Sequence, residues 1–544
     1  MTEINPKHLI DELQYNVKRQ DKIKADIVLS YFFDVDKNTQ KELVRILEQG
    51  PAEFSIPLLV DLIQKKTSLV HELPEIKNAL IAKALEAPEL LLKIIEDDAI
   101  QPKELFIRIS GEIRLEQALP VLIKILVNTK VESILKETIT TLGLIGDPKA
   151  TNAVSEFLYS NNKALTIAAI KTLGQIGTPT AMQRLAEKLG QDPQLDVLIL
   201  DIFSQVQDNI SLQKLNETLG SHYAHLRNYA KSKLVQIGAK AVPLLIQNLV
   251  YDDPDLLIHT LNVLGEIGDA STIVPIRKLL HNHPDDPNVR FAAYEALGML
   301  PIDKGAYVLA SGLTDEEEHV RVAAASAIDR SLNEILVAGI KNMVRQKDED
   351  TVKIIRSIIN AQASNIFISL IEEPVFQELV INFLQKKATP DVRAYFQKLL
   401  DKHGYKDLAQ KLSKEVATHK AKIRALAVDD SKMILNIYKS TLYELGCDPI
   451  LFDKPADALE WLKNNKPQIM FTDLNMPEIT GIDLIAKTRS IYRKADLPII
   501  MVTTQNEVQD NEAAYAAGVN EILFKPFTSE TIKQVLDKFV TSGS

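Results

Sequence analysis

The sequence predicts a multidomain chain: an α-solenoid of stacked helical hairpins, followed by a doubly wound α/β domain with five parallel strands. Two observations predict this architecture. A short phrase containing glycine recurs along the middle of the chain, and short apolar runs alternate with helical patterns near its end. We expect a helical segment over 1–103 that begins the solenoid, repeats over 104–385, a helical connector over 386–420 and the α/β domain over 421–544.

The composition argues against several classes of function. The formal net charge of −10 disfavours general affinity for nucleic acid or for anionic membranes. A single cysteine, Cys447, leaves no internal disulfide and indicates a reducing compartment. The N-terminus lacks the pattern of a secretory signal, and no apolar run is long enough to span a membrane. We therefore expect a cytoplasmic protein.

The first helical segment shows a helix-start pattern but no sequence motif for catalysis or ligand binding. Asn5-Pro6 predicts a helix start, because proline is favoured at the first helical position. Residues 1–103 contain no phosphate-binding glycine loop, no metal-ligand spacing and no nucleophile motif. This part is interpreted as the N-terminal end of the solenoid.

From about residue 104 the same phrase returns at a fixed period. It is clearest as Leu264-Gly-Glu-Ile-Gly-Asp, and the spacings between successive copies are 33, 31, 61, 30 and 33 residues, the 61 being two periods. A period of this size is typical of a solenoid. The copies begin at Ile109, Leu142, Leu173, Leu234, Leu264 and Leu297.

Each repeat is predicted to be a helical hairpin. Leu-x-x-Ile ends the first helix on its apolar face, and the following glycine ends the helix and turns the chain. Neither helix buries its face alone, so the hairpins stack. Apolar-Arg pairs at Arg227, Arg290 and Arg321 precede the phrase, with Asp286 and Asp315 ahead of two of them.

These acids and arginines are interpreted as pairs between neighbouring repeats. The acidic run 315–318 is interpreted as the solvated start of a helix, where acids are favourable. Taken together, the repeats resemble HEAT repeats, of the short type also found in phycobilin-lyase-like proteins. The segment 392–420 has a helical pattern and is predicted to be a connecting helix.

Polar side chains follow the apolar runs of the α/β domain. Asp429 and Asp430 follow the run 423–428, Asp473 follows 469–472, and Thr503 and Lys525 close two later runs. Chemistry in open parallel sheets lies just beyond the carboxyl ends of the strands, so these groups should meet. Asp430, Asp473 and an oxygen of Asn475 are hard ligands suited to Mg²⁺. With Lys525 and Thr503 beside it, Asp473 is a candidate covalent phosphate acceptor.

This segment resembles the receiver domain of two-component response regulators over 421–544. The resemblance rests on the acidic pair, the loop Asp473-x-Asn475-Met-Pro477, Thr503 and Lys525-Pro526-Phe527. It implies a flavodoxin-like fold, phosphorylation of Asp473 by a histidine kinase or phosphotransfer protein, and autodephosphorylation rather than a separate enzymatic activity.

The resemblance also assigns the roles of single residues. It implies Mg²⁺ held by Asp430, Asp473 and the backbone carbonyl of Asn475, with Asp429 in support, and a cis peptide before Pro526. Thr503 and Lys525 would bind the phosphoryl group, and Asn475 and Gln505 occupy positions that tune its lifetime. One departure stands out: Ile522 replaces the aromatic residue that often acts as a switch.

The sequence thus predicts a response regulator whose solenoid is a protein-binding output or scaffold for an unknown partner. Three alternatives stay open: a constitutive HEAT scaffold with a vestigial receiver, a phycobilin-lyase-like enzyme, and a DNA-binding regulator. The acidic charge and the lack of a helix-turn-helix pattern oppose the last of these.

Overall fold

The computed structural model describes residues 5–221, 223–302, 307–413, 423–504 and 508–540. The chain divides into two compact units, Met1–Ser211 and Leu212–Ser544. Among the described residues, no helix has the length and apolar character needed to cross a membrane.

The described part of the first unit is helical throughout, with short 3₁₀ turns between helices. Its helices are α1 (Pro6–Arg19), α2 (Lys22–Leu29), α3 (Lys37–Gln49), α4 (Ala52–Lys65), α5 (Leu69–Glu72), α6 (Pro74–Glu86), α7 (Pro88–Glu96), α8 (Lys103–Glu112), α9 (Leu119–Asn128), α10 (Glu132–Ile145), α11 (Thr151–Ser155), α12 (Lys163–Ile176), α13 (Pro179–Lys188) and α14 (Pro193–Val206).

Hydrogen bonds one repeat apart join the stacked helices α8, α10 and α12. The Thr141 hydroxyl donates to the carbonyl of Ile107 at 3.4 Å, and the Thr172 hydroxyl donates to that of Ile139 at 2.9 Å. Both threonines are buried, and each bonds a carbonyl of the preceding repeat, so the contact recurs with the repeat period.

The second unit continues with helical hairpins, and its boundary falls inside α15 (Asn209–Glu217). The following helices are α16 (Ala224–Ile237), α17 (Val242–Asn248), α18 (Pro254–Ile267), α19 (Ile273–His281), α20 (Pro287–Met299), α21 (Tyr307–Ser311), α22 (Glu318–Arg330), α23 (Glu334–Arg345), α24 (Glu349–Asn360), α25 (Ser364–Leu370), α26 (Pro374–Lys386), α27 (Pro390–Lys402) and α28 (Lys406–Ser413).

The two glycines of the recurring phrase have different tasks. Gly268 ends α18 in the left-handed conformation with φ of 73°, as predicted from the sequence. Gly265 instead permits close packing, since a Cβ atom there would lie 2.9 Å from the Cα atom of Ala296 in α20. Successive first helices therefore approach through glycine and alanine.

The predicted connector differs from the structure. Helices α27 and α28 form a hairpin that turns at Gly404, whose φ is 88°, so the segment is not one continuous helix. Glycine permits this turn without steric cost. Residues 414–420 of the predicted connector lie outside the described residues.

The α/β domain has the predicted five parallel strands, in the order β2-β1-β3-β4-β5. The chain alternates strand and helix: β1 (Ile423–Val428), α29 (Lys432–Glu444), β2 (Cys447–Phe452), α30 (Pro455–Leu462), β3 (Ile469–Thr472), α31 (Gly481–Arg489), β4 (Ile499–Thr503), α32 (Val508–Ala517), β5 (Glu521–Phe524) and α33 (Ser529–Phe539).

Two apolar layers cover this sheet, and one of them extends into the repeats. The layer under α30, α31 and α32 is built from the α/β domain alone. The layer under α29 and α33 also includes Val322 of α22, which is fully buried, with Phe291 of α20 and Ala361 packed against it. The α/β domain therefore shares a hydrophobic core with the repeats of its own unit.

Candidate functional site

The structure brings the predicted polar residues together at the carboxyl ends of the strands. The Lys525 ammonium lies 2.7 Å from Oδ2 of Asp429 and 3.2 Å from Oδ1 of Asp473. Asp429 is 1% exposed and Asp473 is 8% exposed. A lysine shared between two buried carboxylates holds both side chains in place.

The backbone around the site explains this geometry. The Asp473 N–H donates to the carbonyl of Val428 at 3.0 Å, and the Lys525 N–H donates to that of Thr503 at 2.8 Å. A Cβ atom on Gly481 would lie 2.0 Å from the carbonyl oxygen of Asp473, so only glycine fits there. The peptide before Pro526 is cis, as the resemblance implied.

Burial and mutual repulsion perturb the acids. Burial, together with the neighbouring Asp473, raises the pKa of Asp429 to about 6 despite the Lys525 ammonium. Desolvation by surrounding protein, followed by the charges of Asp429 and Asp473, raises the pKa of Asp430 to about 7, although this side chain keeps contact with solvent. Burial opposes the charge on Lys525, but the two carboxylates outweigh it and raise the Lys525 pKa.

The remaining predicted residues are placed as follows. Thr503 is fully buried at the end of β4, and Asn475 lines the cavity beside Asp473. Ile522 lies in β5 and packs against the layer under α30, α31 and α32. Gln505 lies outside the described residues.

The donor set fits a divalent cation. Asp430 and Asp473 offer two carboxylates, and crowded acids of raised pKa are the electrostatic setting that a cation relieves. Over the described parts of the chain, no three or more His, Cys, Asp or Glu side chains form a ready metal cluster. Two carboxylates and a backbone carbonyl, completed by water, match what Mg²⁺ accepts in proteins.

The repeats form the other wall of the site, which the sequence did not reveal. A cavity of about 110 Å³ is lined on one side by Asp430, Asp473 and Lys525. Side chains from α16, α18, α20 and α22 line the other side: Lys231, His259, Asn262, Asn288, Phe291, Glu295 and His319. The carboxylate cluster is therefore covered by the solenoid half of its own unit.

Specific polar contacts hold this cover in place. Nη2 of Arg227 lies 3.0 Å from Oδ2 of Asp510 and 3.5 Å from Oδ1 of Asn475. The Asn288 amide donates to the backbone carbonyl of Lys525 at 3.0 Å. Further contacts come from α29 and from Ser431, which caps it: Ser431 to Glu295 at 3.4 Å, Glu444 to Arg356 at 3.0 Å, and Lys439 to Asp391.

These contacts correct two interpretations made from the sequence. Arg290 does pair with Asp315 across neighbouring repeats at 2.8 Å, but Arg227 reaches the α/β domain instead. The Asp315 carboxylate is buried in that pair, and Glu318 at the start of α22 is half-buried and lies 2.6 Å from Arg356, so Glu316 is the exposed acid of the run 315–318. Asp286 lies four residues before Arg290 and Asp315 lies six residues before Arg321, whereas residues 221–226 ahead of Arg227 include no acid.

Comparisons with known proteins agree with the fold. The model of the response regulator receiver domain matches residues 425–537, and that of HEAT repeats matches 132–199 and 242–329. The chemotaxis protein CheY homolog of Campylobacter jejuni is 39% identical over 124 residues, which cover 22% of this chain and 95% of that protein.

Two further relatives match the same region. The chemotaxis protein CheY1 of Helicobacter pylori is 39% identical over 117 residues, or 21% of this chain and 94% of that protein. The solved structure of Vibrio cholerae CheY4 is 28% identical and covers 22% of this chain and 98% of that chain, with a TM-score of 0.21. The match to the receiver-domain model and the 39% identity to the Campylobacter jejuni protein identify the α/β domain as a receiver domain, a signalling module. The chain belongs to the response-regulator family and carries HEAT repeats ahead of that domain.

Proposed function

We propose that this chain is a two-component response regulator in which Asp473 accepts a phosphoryl group from a histidine kinase or phosphotransfer protein. One observation carries the proposal: the Lys525 ammonium bridges Asp473 and Asp429 at the carboxyl edge of a receiver-type sheet. A silent receiver has no need to keep a buried lysine between two buried acids.

In the proposed reaction, a carboxylate oxygen of Asp473 attacks the phosphorus of a phosphohistidine. The new O–P bond forms as the P–N bond breaks, and the imidazole nitrogen takes the bonding electron pair and a proton. Lys525, already 3.2 Å from Asp473, binds an oxygen of the arriving group. The Thr503 hydroxyl, at the end of β4, donates to another. Water later cleaves the acyl phosphate and restores the carboxylate.

Asp430, Asp473 and the backbone carbonyl of Asn475 would hold Mg²⁺, with Asp429 supporting them. Held there, the ion would supply positive charge to neutralise the phosphoryl oxygens. The chain's own contribution is to keep these acids at one strand edge, since β1 and β3 are adjacent in the sheet.

The HEAT repeats are proposed as the output, or as a scaffold for a protein partner. The support is architectural, because stacked hairpins expose long surfaces suited to protein binding. The receiver packs on α22 and α24 through the shared apolar layer. A change in the receiver's conformation on phosphorylation would therefore act directly on the repeats.

The test is the intact mass of the full chain after incubation with Mg²⁺ and either acetyl phosphate or phosphoramidate, the latter with a P–N bond like that of phosphohistidine. We expect one added phosphoryl group in the wild type and none in Asp473→Asn. Asp448→Asn, an exposed acid in β2, is the matched control and should gain the group. Absence of the added mass with either donor in the wild type would favour a constitutive scaffold with a vestigial receiver.

A further inference from the structure

We propose that Lys231 of the HEAT repeats binds the phosphoryl group on Asp473, so that the repeats complete the phosphorylation site. This inference rests on the proposed function and adds to it a binding residue from outside the receiver domain. It also gives a direction to the response: phosphorylation strengthens the contact between repeats and receiver.

Lys231 occupies the right place. It lies on α16 and lines the same cavity as Asp430, Asp473 and Lys525. Burial lowers the pKa of Lys231, as does nearby Arg227, while the charges of Asp430, Glu266 and Asp473 oppose that shift and favour the ammonium form. Within the parts of the chain that the structure describes, the side-chain nitrogen forms no hydrogen bond or ion pair. Its donors are therefore not already committed to another group.

Arg227 fixes the position of this lysine. It lies one helical turn before Lys231 on α16, where residues four apart share a face. Arg227 is 2% exposed and contacts both Asp510 and Asn475 of the receiver. An anchored residue one turn away keeps the following turn of the helix over the carboxylates.

The other titratable groups around the cavity are less suited than Lys231 to bind the phosphoryl group. Lys525 is already shared between Asp429 and Asp473. Burial lowers the pKa of His259 well below its usual value and that of His319 to about 4, so both are neutral near pH 7. Burial and nearby acids raise the pKa of Glu295 to about 8, which keeps this carboxyl protonated near pH 7.

Phosphorylation changes the charge that these groups must balance. The acyl phosphate carries about one more negative charge than the carboxylate it replaces, and three strong acceptor oxygens. Lys525 and Thr503 of the receiver each donate to one phosphoryl oxygen, and Lys231 of the repeats donates to the remaining oxygen. The repeats then gain a contact that is absent before phosphorylation, which is the differential interaction a switch requires.

The experiment uses the full chain and Mg²⁺ with beryllium fluoride, which mimics a phosphoryl group on a carboxylate. Titration calorimetry compares wild type with Lys231→Met, and we expect about a tenfold weaker affinity, as for loss of one charge-assisted hydrogen bond. Lys231→Arg keeps the charge and should retain most of the affinity. Lys233→Met is the matched control, because Lys233 lies on the same helix but packs over the ring of Tyr229.

The outcomes separate the two proposals. Equal affinities of Lys231→Met and Lys233→Met would overturn the inference while leaving phosphorylation of Asp473 intact. A wild type that neither binds beryllium fluoride nor gains a phosphoryl group would overturn both. Thermal melting of each variant shows whether a lost affinity comes from unfolding, and rescue by Lys231→Arg shows that the charge is responsible.

Discussion

The contact between Arg227 and Asp510 should control how often the repeats lift away from the phosphorylation site. We therefore predict that Arg227→Met increases this opening. The hydrogen bonds to the receiver at 3.0 Å to Asp510 and 3.5 Å to Asn475 are lost. The hydrogen bond at 2.6 Å to the carbonyl of Ser221 lies within the repeats.

The size of the effect follows from these contacts. A hydrogen bond to a charged group contributes about 1.5–3 kcal/mol, so its loss raises the open population about 10- to 150-fold. Other contacts, among them Asn288 with Lys525 and Arg356 with Glu444 at 3.0 Å each, continue to hold the receiver. The variant should stay folded and docked for most of the time, with more frequent opening.

A thiol in the cavity can report this opening. Ala292 of α20 lines the cavity and is 1% exposed, so Ala292→Cys places a thiol where a labelling reagent reaches it only after opening. When closing is faster than labelling, the labelling rate is proportional to the open population. Cys447 is buried in the receiver and serves as an internal measure of global unfolding.

Arg227→Met in the Ala292→Cys background should raise the labelling rate by about 10- to 150-fold without raising that of Cys447. Arg345→Met is the control, because Arg345 pairs with Glu373 at an exposed site within the repeats. Asp510→Asn should resemble Arg227→Met, and the double variant should add little. Equal labelling rates in the Arg227→Met and Arg345→Met variants would refute the role of this contact.

Two further predictions concern packing and titration. Gly265→Ala should lower the melting temperature, because its Cβ atom would lie 2.9 Å from the backbone of Ala296. Overpacking of this kind costs about 1–3 kcal/mol. Gly339→Ala, in an exposed and open part of α23, should instead stabilise the protein by about 0.5–1 kcal/mol. Equal shifts of the melting temperature in the two variants would contradict the argument from close approach. Burial raises the pKa of Cys447 to about 11, so its thiol should stay protonated up to pH 10. Carbon NMR of a selectively labelled cysteine gives one resonance in this chain, and half-titration by pH 9 would contradict the expectation.

Local patterns predicted the fold and the receiver residues because both depend on nearby sequence. The strand β3 is a buried apolar run that ends at Asp473, and parallel strands place their carboxyl ends at one edge. Gly268 likewise ends α18 where the recurring phrase predicted. Such features need only strand length, helix period and turn chemistry.

The cover over the site depends on contacts between residues far apart in sequence, and no local pattern marks them. Arg227, Arg290 and Arg321 occupy equivalent places in their repeats, and each donates from Nη1 to the carbonyl six residues earlier. Their acidic partners differ, because Arg290 pairs with Asp315 of the neighbouring repeat and Arg227 pairs with Asp510 of the receiver. The acidic partner of each arginine depends on which repeat contacts the receiver, and that contact follows only from the packing of the two domains.

Opening of the cavity and binding of the phosphoryl group must be coupled if Lys231 acts as proposed. Any ligand that binds better in the closed state shifts the chain toward that state, and the coupling is reciprocal. Mg²⁺ with beryllium fluoride should therefore slow labelling of the introduced thiol at position 292. Because Arg227→Met stays closed for most of the time, its affinity for beryllium fluoride should remain close to that of the wild type, although its labelling is faster. If the analogue speeds labelling instead, phosphorylation releases the repeats and Lys231 does not hold the phosphoryl group.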